Sequence, residues 1–546
     1  MLISFSSTRS LLFHLRLISA CVGFSPSCRA SLGAASPDHP AASIQSMLAP
    51  LEISKDYGVA LFAAEPDVMN PIAISVDEVG RVYLAETDRY RDAVFDVVTQ
   101  KPEWLPKDLS FRSVQDRTDF LKQTFRHHLT PLTRGSERVR LLEDNDRDGA
   151  AESSRVLADG FSSIPTGPAA GILAHHGRVW FQCVPGLWRL EWDPESHAVN
   201  SAQELHDGFG VHVGVSGHDL HGITWGPEGR LYFSMGDRGL HVKTSEKTLH
   251  YPDTGAVLRC EPDGSNLEVV AHGLRNPQEI VFDAYGNLFA GDNDTSGNDQ
   301  SRIIHIVPHG DYGWRCSYQH MKGFGPWIED GFWKGDIDDI LSSSGYVSQG
   351  PSGFALHPEA GSRNNIPGPF FICDFPGGIR SFDLSPKGAS FTTSDNRKWL
   401  WNLWPTDLAF GPDGAVYVSD WVEGWPQPEK GRVYRITAND EASAILGTDV
   451  RSVIASLNAM GSPEQVAEFL GHPNRWVRRE AQFRLVDLGA VSERVLFDTL
   501  NQEASVFGRL HALWGLNQMG RSIGASDQSR HVRAAQTGLA DSHEAV

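Results

Sequence analysis

Three stretches of this chain carry side chains suited to acid–base chemistry. The first is Gly217-His218-Asp219-Leu220-His221-Gly222, whose following strand ends Gly236-Asp237-Arg238-Gly239. The second is His272-Gly273-Leu274-Arg275-Asn276-Pro277-Gln278. The third is Gly291-Asp292-Asn293-Asp294 with Asn298-Asp299, followed by Gly310-Asp311-Tyr312-Gly313-Trp314. Hydride removal from an alcohol needs a base for the hydroxyl proton, a cation for the reduced acceptor and a polar clamp. The imidazoles of His218 and His221, the carboxylates of Asp219 and Asp237 and the guanidinium of Arg275 would supply that grouping where folding brings the stretches together. The same residues also have a plain architectural use. Arg275-Asn276-Pro277 would hold the start of a strand, and the two histidines would bond neighbouring sheets. Asp237, Asp292 and Asp420 fall at one position of a repeated phrase, which argues for architecture.

A separate signal is Asp144-Asn145-Asp146-Arg147-Asp148-Gly149 with Glu152. Acids at positions one, three and five with Gly at six wrap oxygen ligands around a hard cation. The bidentate acid of an EF-hand is missing, since Arg155 stands at the twelfth position. Asp144, Asp146, Asp148 and Glu152 therefore form an open Ca²⁺ loop on a hairpin tip, or else an acidic, solvated turn.

The elements that position these groups are repeats. Asn70 to Glu86, His221 to Asp237, Asn276 to Asp292 and Pro405 to Asp420 share a run of alternating apolar residues, a Gly-containing turn and an aromatic-rich second run. Looser copies lie at Pro165 to Cys183 and Pro351 to Asp374. Period-two alternation around such turns is a β-hairpin signal, and its recurrence predicts a radial array. The expected fold is an all-β six-bladed propeller over residues 51–438, closed by Val59 to Ala64 against Arg432 to Ile436. An insertion near Lys101 to Thr133 reads as helical, and Asp311 to Gly345 reads as a structured loop. Residues 439–546 switch to helical spacing and resemble HEAT-type repeats, cut short at the C-terminus.

The chain has 546 residues and a formal net charge of −20, with no basic stripe, so nucleic acid is excluded as a partner. Fifteen tryptophans and 27 phenylalanines supply flat side chains to wedge between blades. Six cysteines form no CxxC pair and no haem-attachment motif, and those in the propeller read as small buried apolar groups. Residues 1–50 read as an export signal or disordered leader, with Cys21 placed for lipidation. The expected location is the periplasm or cell envelope.

The motif Gly273-Leu274-Arg275-Asn276-Pro277-Gln278, the run from Gly226 to Gly239, and Asp311-Tyr312-Gly313-Trp314 resemble the soluble glucose/sorbosone dehydrogenase family. The layout of leader, propeller and helical repeats resembles planctomycete-type membrane-bound dehydrogenase proteins. The resemblance covers about residues 51 to 520. It implies a six-bladed propeller using pyrroloquinoline quinone (PQQ) with Ca²⁺ to oxidise a sugar or other alcohol, and an external electron carrier such as a c-type cytochrome. It also implies that Arg275, Asn276 and Gln278 contact the quinone, that His218 or His221 is the catalytic base beside Arg275, and that Asp219, Asp237 and Arg238 line the substrate. Two departures stand out. The family's carboxylate-binding arginines before the last blade are replaced by Trp404-Pro405-Thr406-Asp407, and its lysine is missing near Phe375-Pro376-Gly377-Gly378. Two further readings compete. One is a glycan- or protein-binding propeller whose helical repeats recruit a partner. The other is a Ca²⁺-dependent lactonase or hydrolase using Glu86, Asn276 and Asp420.

Overall fold

A computed structural model describes residues 41–294, 300–319, 321, 341–361, 368–424, 429–439, 447–501, 505–522 and 529–546. Residues 1–40, where the leader with Cys21 is expected, lie outside them, as do Asn298, Asp299 and most of the loop after Met321. Residues 41–50 carry the helix Ala41–Leu48. Next to it Glu52–Ile53 pairs with Leu400 and Trp401.

The repeats fold as six antiparallel blades. From the axis outward, blade one is Pro71–Val76, Val82–Glu86, Glu137–Glu143 and Ser153–Phe161. Blade two is Ala169–His175, Arg178–Cys183, Gly186–Trp192 and Val199–Asp207, and blade three is Leu220–Trp225, Leu231–Met235, Gly255–Cys260 and Glu268–Leu274. Blade four is Pro277–Phe282, Leu288–Asp292 and Arg302–Ile306. Blade five is Pro351–Leu356, Phe370–Asp374, Gly377–Lys387 and Ser390–Leu403. Blade six is Pro405–Phe410, Val416–Asp420 and Arg432–Ala438, completed on its outer edge by Tyr57–Ala64. The expected closure is therefore present, with Val59 opposite Ile436 and Ala64 opposite Arg432.

The aromatic residues wedge between sheets as expected. Trp180 meets Trp225 between blades two and three, Tyr232 meets Phe282 between three and four, and Phe371 meets Phe410 between five and six. Cys183, Cys260 and Cys373 are buried free thiols.

An acid at the end of the second strand staples four of the blades. Each faces the first residue of its own inner strand: Pro71 opposite Glu86, Pro277 opposite Asp292, Pro351 opposite Asp374 and Pro405 opposite Asp420. Each carboxylate accepts amide hydrogens from the segment leading to that strand. Met69 donates to Glu86, Arg275 and Asn276 to Asp292, Gln349 and Gly350 to Asp374, and Trp404 to Asp420. Arginines on the third strands pair with three of them: Arg140 with Glu86 at 2.6 Å, Arg302 with Asp292 at 2.6 Å, and Arg380 with Asp374. Burial without these partners would be prohibitive for a carboxylate.

The expected helical insertion is present as Leu105–Asp108 and Val114–Phe125, the latter capped by Ser113 accepting from Asp116 N at 3.3 Å. After the ring come helices Arg451–Ala459, Pro463–Ala467, Arg475–Leu488, Glu493–Leu500, Val506–Ser522 and Ser529–Leu539. This helical region lies against the turn face of the ring. Arg475 N donates to Pro358 O, Arg475 Nη1 to Phe282 O, and Gln482 Nε2 to Pro227 O. A cavity of about 210 Å³ lies between all six inner strands and Arg475, Trp476, Arg478, Arg479, His511 and Trp514.

Three acids, Glu279, Asp283 and Asp407, line that cavity, the first and last of them on inner strands. Burial pushes Asp407 up to about 7 and, with Asp407 nearby, holds Glu279 well above the usual range. A raised carboxyl is neutral when folded but ionised when unfolded, so the cost to folding grows from about pH 4 and levels off near 7. Asp407→Asn is expected to flatten that segment of the stability–pH curve, by up to about 1.4 kcal/mol per pH unit, as read by urea unfolding. Asp374→Ala, which strands Arg380 and two amides, is expected to cost about 3–5 kcal/mol by the same measurement.

Candidate functional site

The face opposite the helices is where inner strands begin and second strands end. His218 stands there just before the inner strand of blade three, held by the helical insertion. Asp108 accepts from Val213 N at 2.7 Å, Gly214 N at 3.2 Å and Tyr318 Oη at 2.6 Å. Asp96 accepts from Ser216 N and Oγ, each at 2.9 Å. The backbone leading to His218 is thereby fixed from outside the ring. Gly236 completes the fit, since a Cβ there would lie 2.6 Å from the His218 carbonyl carbon.

His218 Nδ1 lies 2.7 Å from Asp237 Oδ1, and the other oxygen of Asp237 accepts from Trp314 Nε1 at 2.7 Å. Asp237 is fully buried. Burial would raise its pKa, but His218, Arg275 and Trp314 hold it below the usual carboxylate range. An anionic Asp237 makes Nδ1 the protonated ring nitrogen. In the neutral ring Nε2 is then the lone-pair nitrogen, and it has no hydrogen-bond partner among the described residues. Arg275 is buried, its carbonyl accepts from Asp237 N at 2.8 Å, and its guanidinium lies 5.6 Å from the centre of the Trp314 ring. Imidazole, carboxylate, indole and guanidinium thus form one connected group. Gly273 at φ 78° lets the Trp314 segment approach, since a Cβ there would sit 2.6 Å from Tyr312 N.

The structure corrects several expectations. Asp237 does not share the position of Asp292 and Asp420. In blade three the residue facing the inner-strand start is Met235, opposite Leu220, so Asp237 lies two residues further on and its partners differ. Asp219 and Arg238 do not line a substrate site: they are buried against each other, and Arg238 Nε donates to His212 O. His221 does not serve as the base. Its Nε2 lies 2.9 Å from both Gly217 O and Asp219 N, and burial lowers its pKa, so it is a neutral bonding residue. Glu86 and Asp420 are staples rather than converging ligands. Gln278 Nε2 donates to Gly217 O at 3.1 Å, bridging blades three and four.

Asn276 also donates its amide to Asp292, as the architectural reading expects, yet its buried side-chain oxygen has no partner. Sequence reasoning gave Trp314 no role of its own, although it stood in the quoted motif. It also missed an aromatic rim on this face. Phe375 and Trp404 lie 5.5 Å apart, Trp421 stacks on Phe375, and Tyr90 meets Trp421 at 5.5 Å.

PQQ is a tricarboxylate, and the fit of these residues to it is one-sided. Arg275 suits one edge, whereas the buried Asn276 oxygen is an acceptor and offers nothing to a carboxylate. At blades five and six the facing residues are Phe375, Trp404 and Trp421, where carboxylates would need cations. The residues present do not fit PQQ.

The acids at 144–152 do converge. Asp144, Asp146, Asp148 and Glu152 each offer an oxygen within 4.8 Å of the others. Asp144 accepts from Gly149 N at 3.0 Å and Glu152 from Asn145 N at 2.6 Å. The loop joins the third and fourth strands of blade one at the turn face, remote from His218.

A family model described as Domain of unknown function (DUF7133) matches residues 43–316, half of the chain. The chain belongs to the DUF7133 family. His218, Asp237, Arg275 and Trp314 all fall inside the DUF7133 match. No curated protein matches the chain. Among solved structures, the PQQ-bound aldose sugar dehydrogenase from Streptomyces coelicolor is 14% identical at TM-score 0.42, the match covering 71% of this chain and 100% of that one. The apo-form soluble aldose sugar dehydrogenase from Escherichia coli is 13% identical at TM-score 0.44, covering 70% and 100%. The holo-form PQQ domain of pyranose dehydrogenase from Coprinopsis cinerea is 11% identical at TM-score 0.41, covering 71% and 97%.

Trp314→Phe removes one donor from the buried Asp237 carboxylate. It is expected to cost about 1–3 kcal/mol in chemical unfolding.

Proposed function

We propose that the His218 face is the sugar- or alcohol-oxidising site of an exported oxidoreductase, with His218 as its base. The observation that supports it is the 2.7 Å contact between His218 Nδ1 and the buried Asp237 carboxylate. A carboxylate on one ring nitrogen holds the imidazole in a single tautomer and orientation, ready to take a proton at the other nitrogen. Oxidation of a carbinol to a carbonyl releases one hydroxyl proton and one hydride. His218 Nε2 would take the proton. The hydride would pass to an organic two-electron acceptor other than carboxylate-clamped PQQ; its two electrons would then leave singly to two molecules of an external carrier of the c-type cytochrome class, with the proton released to solvent. Arg275 would stabilise negative charge developing near the base, and the aromatic rim suits the apolar face of a pyranose ring. The motif Gly273 to Gln278 supports this reading through its resemblance to the glucose/sorbosone dehydrogenases. In the same reading the loop Asp144 to Glu152 holds a structural Ca²⁺. The helical region, of HEAT-like type, offers a partner surface.

The rim of Phe375, Trp404 and Trp421 favours a second reading, a glycan-binding face without turnover. Dye-linked oxidation of an aldose and polyol panel, run with and without added PQQ and Ca²⁺, separates the two. Sugar-dependent dye reduction is expected, and His218→Gln should lower it about 10²–10⁴-fold with sugar binding retained. Sugar binding in a folded protein that reduces no dye would leave the glycan reading alone standing.

A further inference from the structure

The turn face of blade two carries a cluster unconnected with His218. His175 and His176 are neighbours in sequence, and in extended chain their rings would point to opposite faces. His176 instead adopts φ 48°, and the two ring centres come within 4.1 Å of each other. Both rings meet one carboxylate of the helix Arg475–Leu488. His175 Nε2 lies 3.0 Å from Glu480 Oε1 and 3.2 Å from Oε2, and His176 Nε2 lies 3.0 Å from Oε2. On the far side of its ring, His176 Nδ1 lies 3.3 Å from Glu78 Oε1, while the His176 amide donates to Glu78 Oε2 at 3.0 Å.

We propose that His175, His176 and Glu480 form a binding site for a first-row transition-metal ion of the zinc class, joining the helical region to the ring. Three observations converge on it. The first is spacing. Donors about 2.0–2.2 Å from a shared ion, at angles between square and tetrahedral, stand roughly 3.0–3.5 Å apart. The three imidazole–carboxylate contacts fall in that range. The second is chemistry, because two imidazoles with one carboxylate select zinc, cobalt, nickel or iron(II) over calcium and magnesium. The third is support. Glu78 on Nδ1 sets the tautomer that leaves His176 Nε2 as a ligand, the arrangement by which metal-bound histidines are commonly oriented.

The environment agrees with this assignment. Glu480 is buried, whereas the His176 side chain is 37% exposed, which provides a route for the ion. Arg479 donates to Glu480 Oε1 at 3.2 and 3.1 Å, so Oε2 remains the oxygen shared by the imidazoles. Three protein ligands leave a fourth position for water.

The test uses the full chain stripped with chelator, titrated calorimetrically with Zn²⁺ and followed by visible absorption with Co²⁺. One saturable equivalent and Co²⁺ ligand-field bands are expected, together with a Zn²⁺-dependent rise in melting temperature. His176→Asn, which tolerates the left-handed backbone, should weaken binding by at least about 10-fold. Glu480→Gln should do the same and remove the thermal shift. Absence of saturable binding in the wild type would overturn the proposal. So would binding that survives both variants. The exposed hairpin pair His241 and His250, whose Nδ1 atoms are 2.8 Å apart, is the built-in competitor. Loss of binding only in His241→Asn would place the ion there instead.

Discussion

Strand Tyr57–Ala64 pairs with Arg432–Ala438 along its whole length, so the sixth blade is assembled from opposite ends of the propeller sequence. A ring of sheets is held closed when the start of the chain completes the outer edge of its last sheet. The pairing therefore sets the spacing of every other blade, and with it the distance between residues on neighbouring blades. Phe62 against Tyr417 and Tyr57 against Trp399 fill the joint with edge-on aromatic contacts. His218, before blade three, and Arg275, before blade four, share one face because this closure holds the circle.

Within the circle, the same kind of residue does two different jobs. Glu86, Asp292, Asp374 and Asp420 are buried acids that accept backbone amides and, in three blades, pair with arginine. Their charge is fully committed to architecture. Blade three breaks the pattern, with Met235 at the staple position and the acid displaced by two residues. That shift preserves strand parity yet carries the carboxylate past the sheet edge, where it meets an imidazole and an indole. The neighbouring pair of Asp219 and Arg238 neutralises itself and isolates the dyad from the insertion behind it.

The fold was largely legible because its signals are local. Alternation around Gly-containing turns marked the inner hairpins, and apolar spacing marked the helices after residue 450. The site was legible only as a set of segments. A sequence phrase places Asp237 beside Asp292, but register is decided by which residues oppose each other, and Leu220 opposes Met235. His218 and His221 looked equivalent as bases. They separate only once one ring is seen against a carboxylate and the other wedged between Gly217 and Asp219. The aromatic rim combines Tyr90, Phe375, Trp404 and Trp421 from three blades, and no spacing along the chain links them. The meeting of His175, His176 and Glu480 was equally invisible, since it spans some 300 positions and two kinds of structure.

The docking of the helical region has a consequence for how such a protein arises. Trp225, Phe282 and Phe410 are buried on the side where the helices sit, and Phe483 packs edge-on to Trp225. Val450 N also donates to Pro412 O, and Arg521 to Glu228 O and Glu261, so the grip reaches blades three and six. A gene fragment encoding the ring alone would yield a molecule with bare indole and phenyl surface. The helices therefore act as a cap on the ring, and each part leans on the other for burial of its apolar surface.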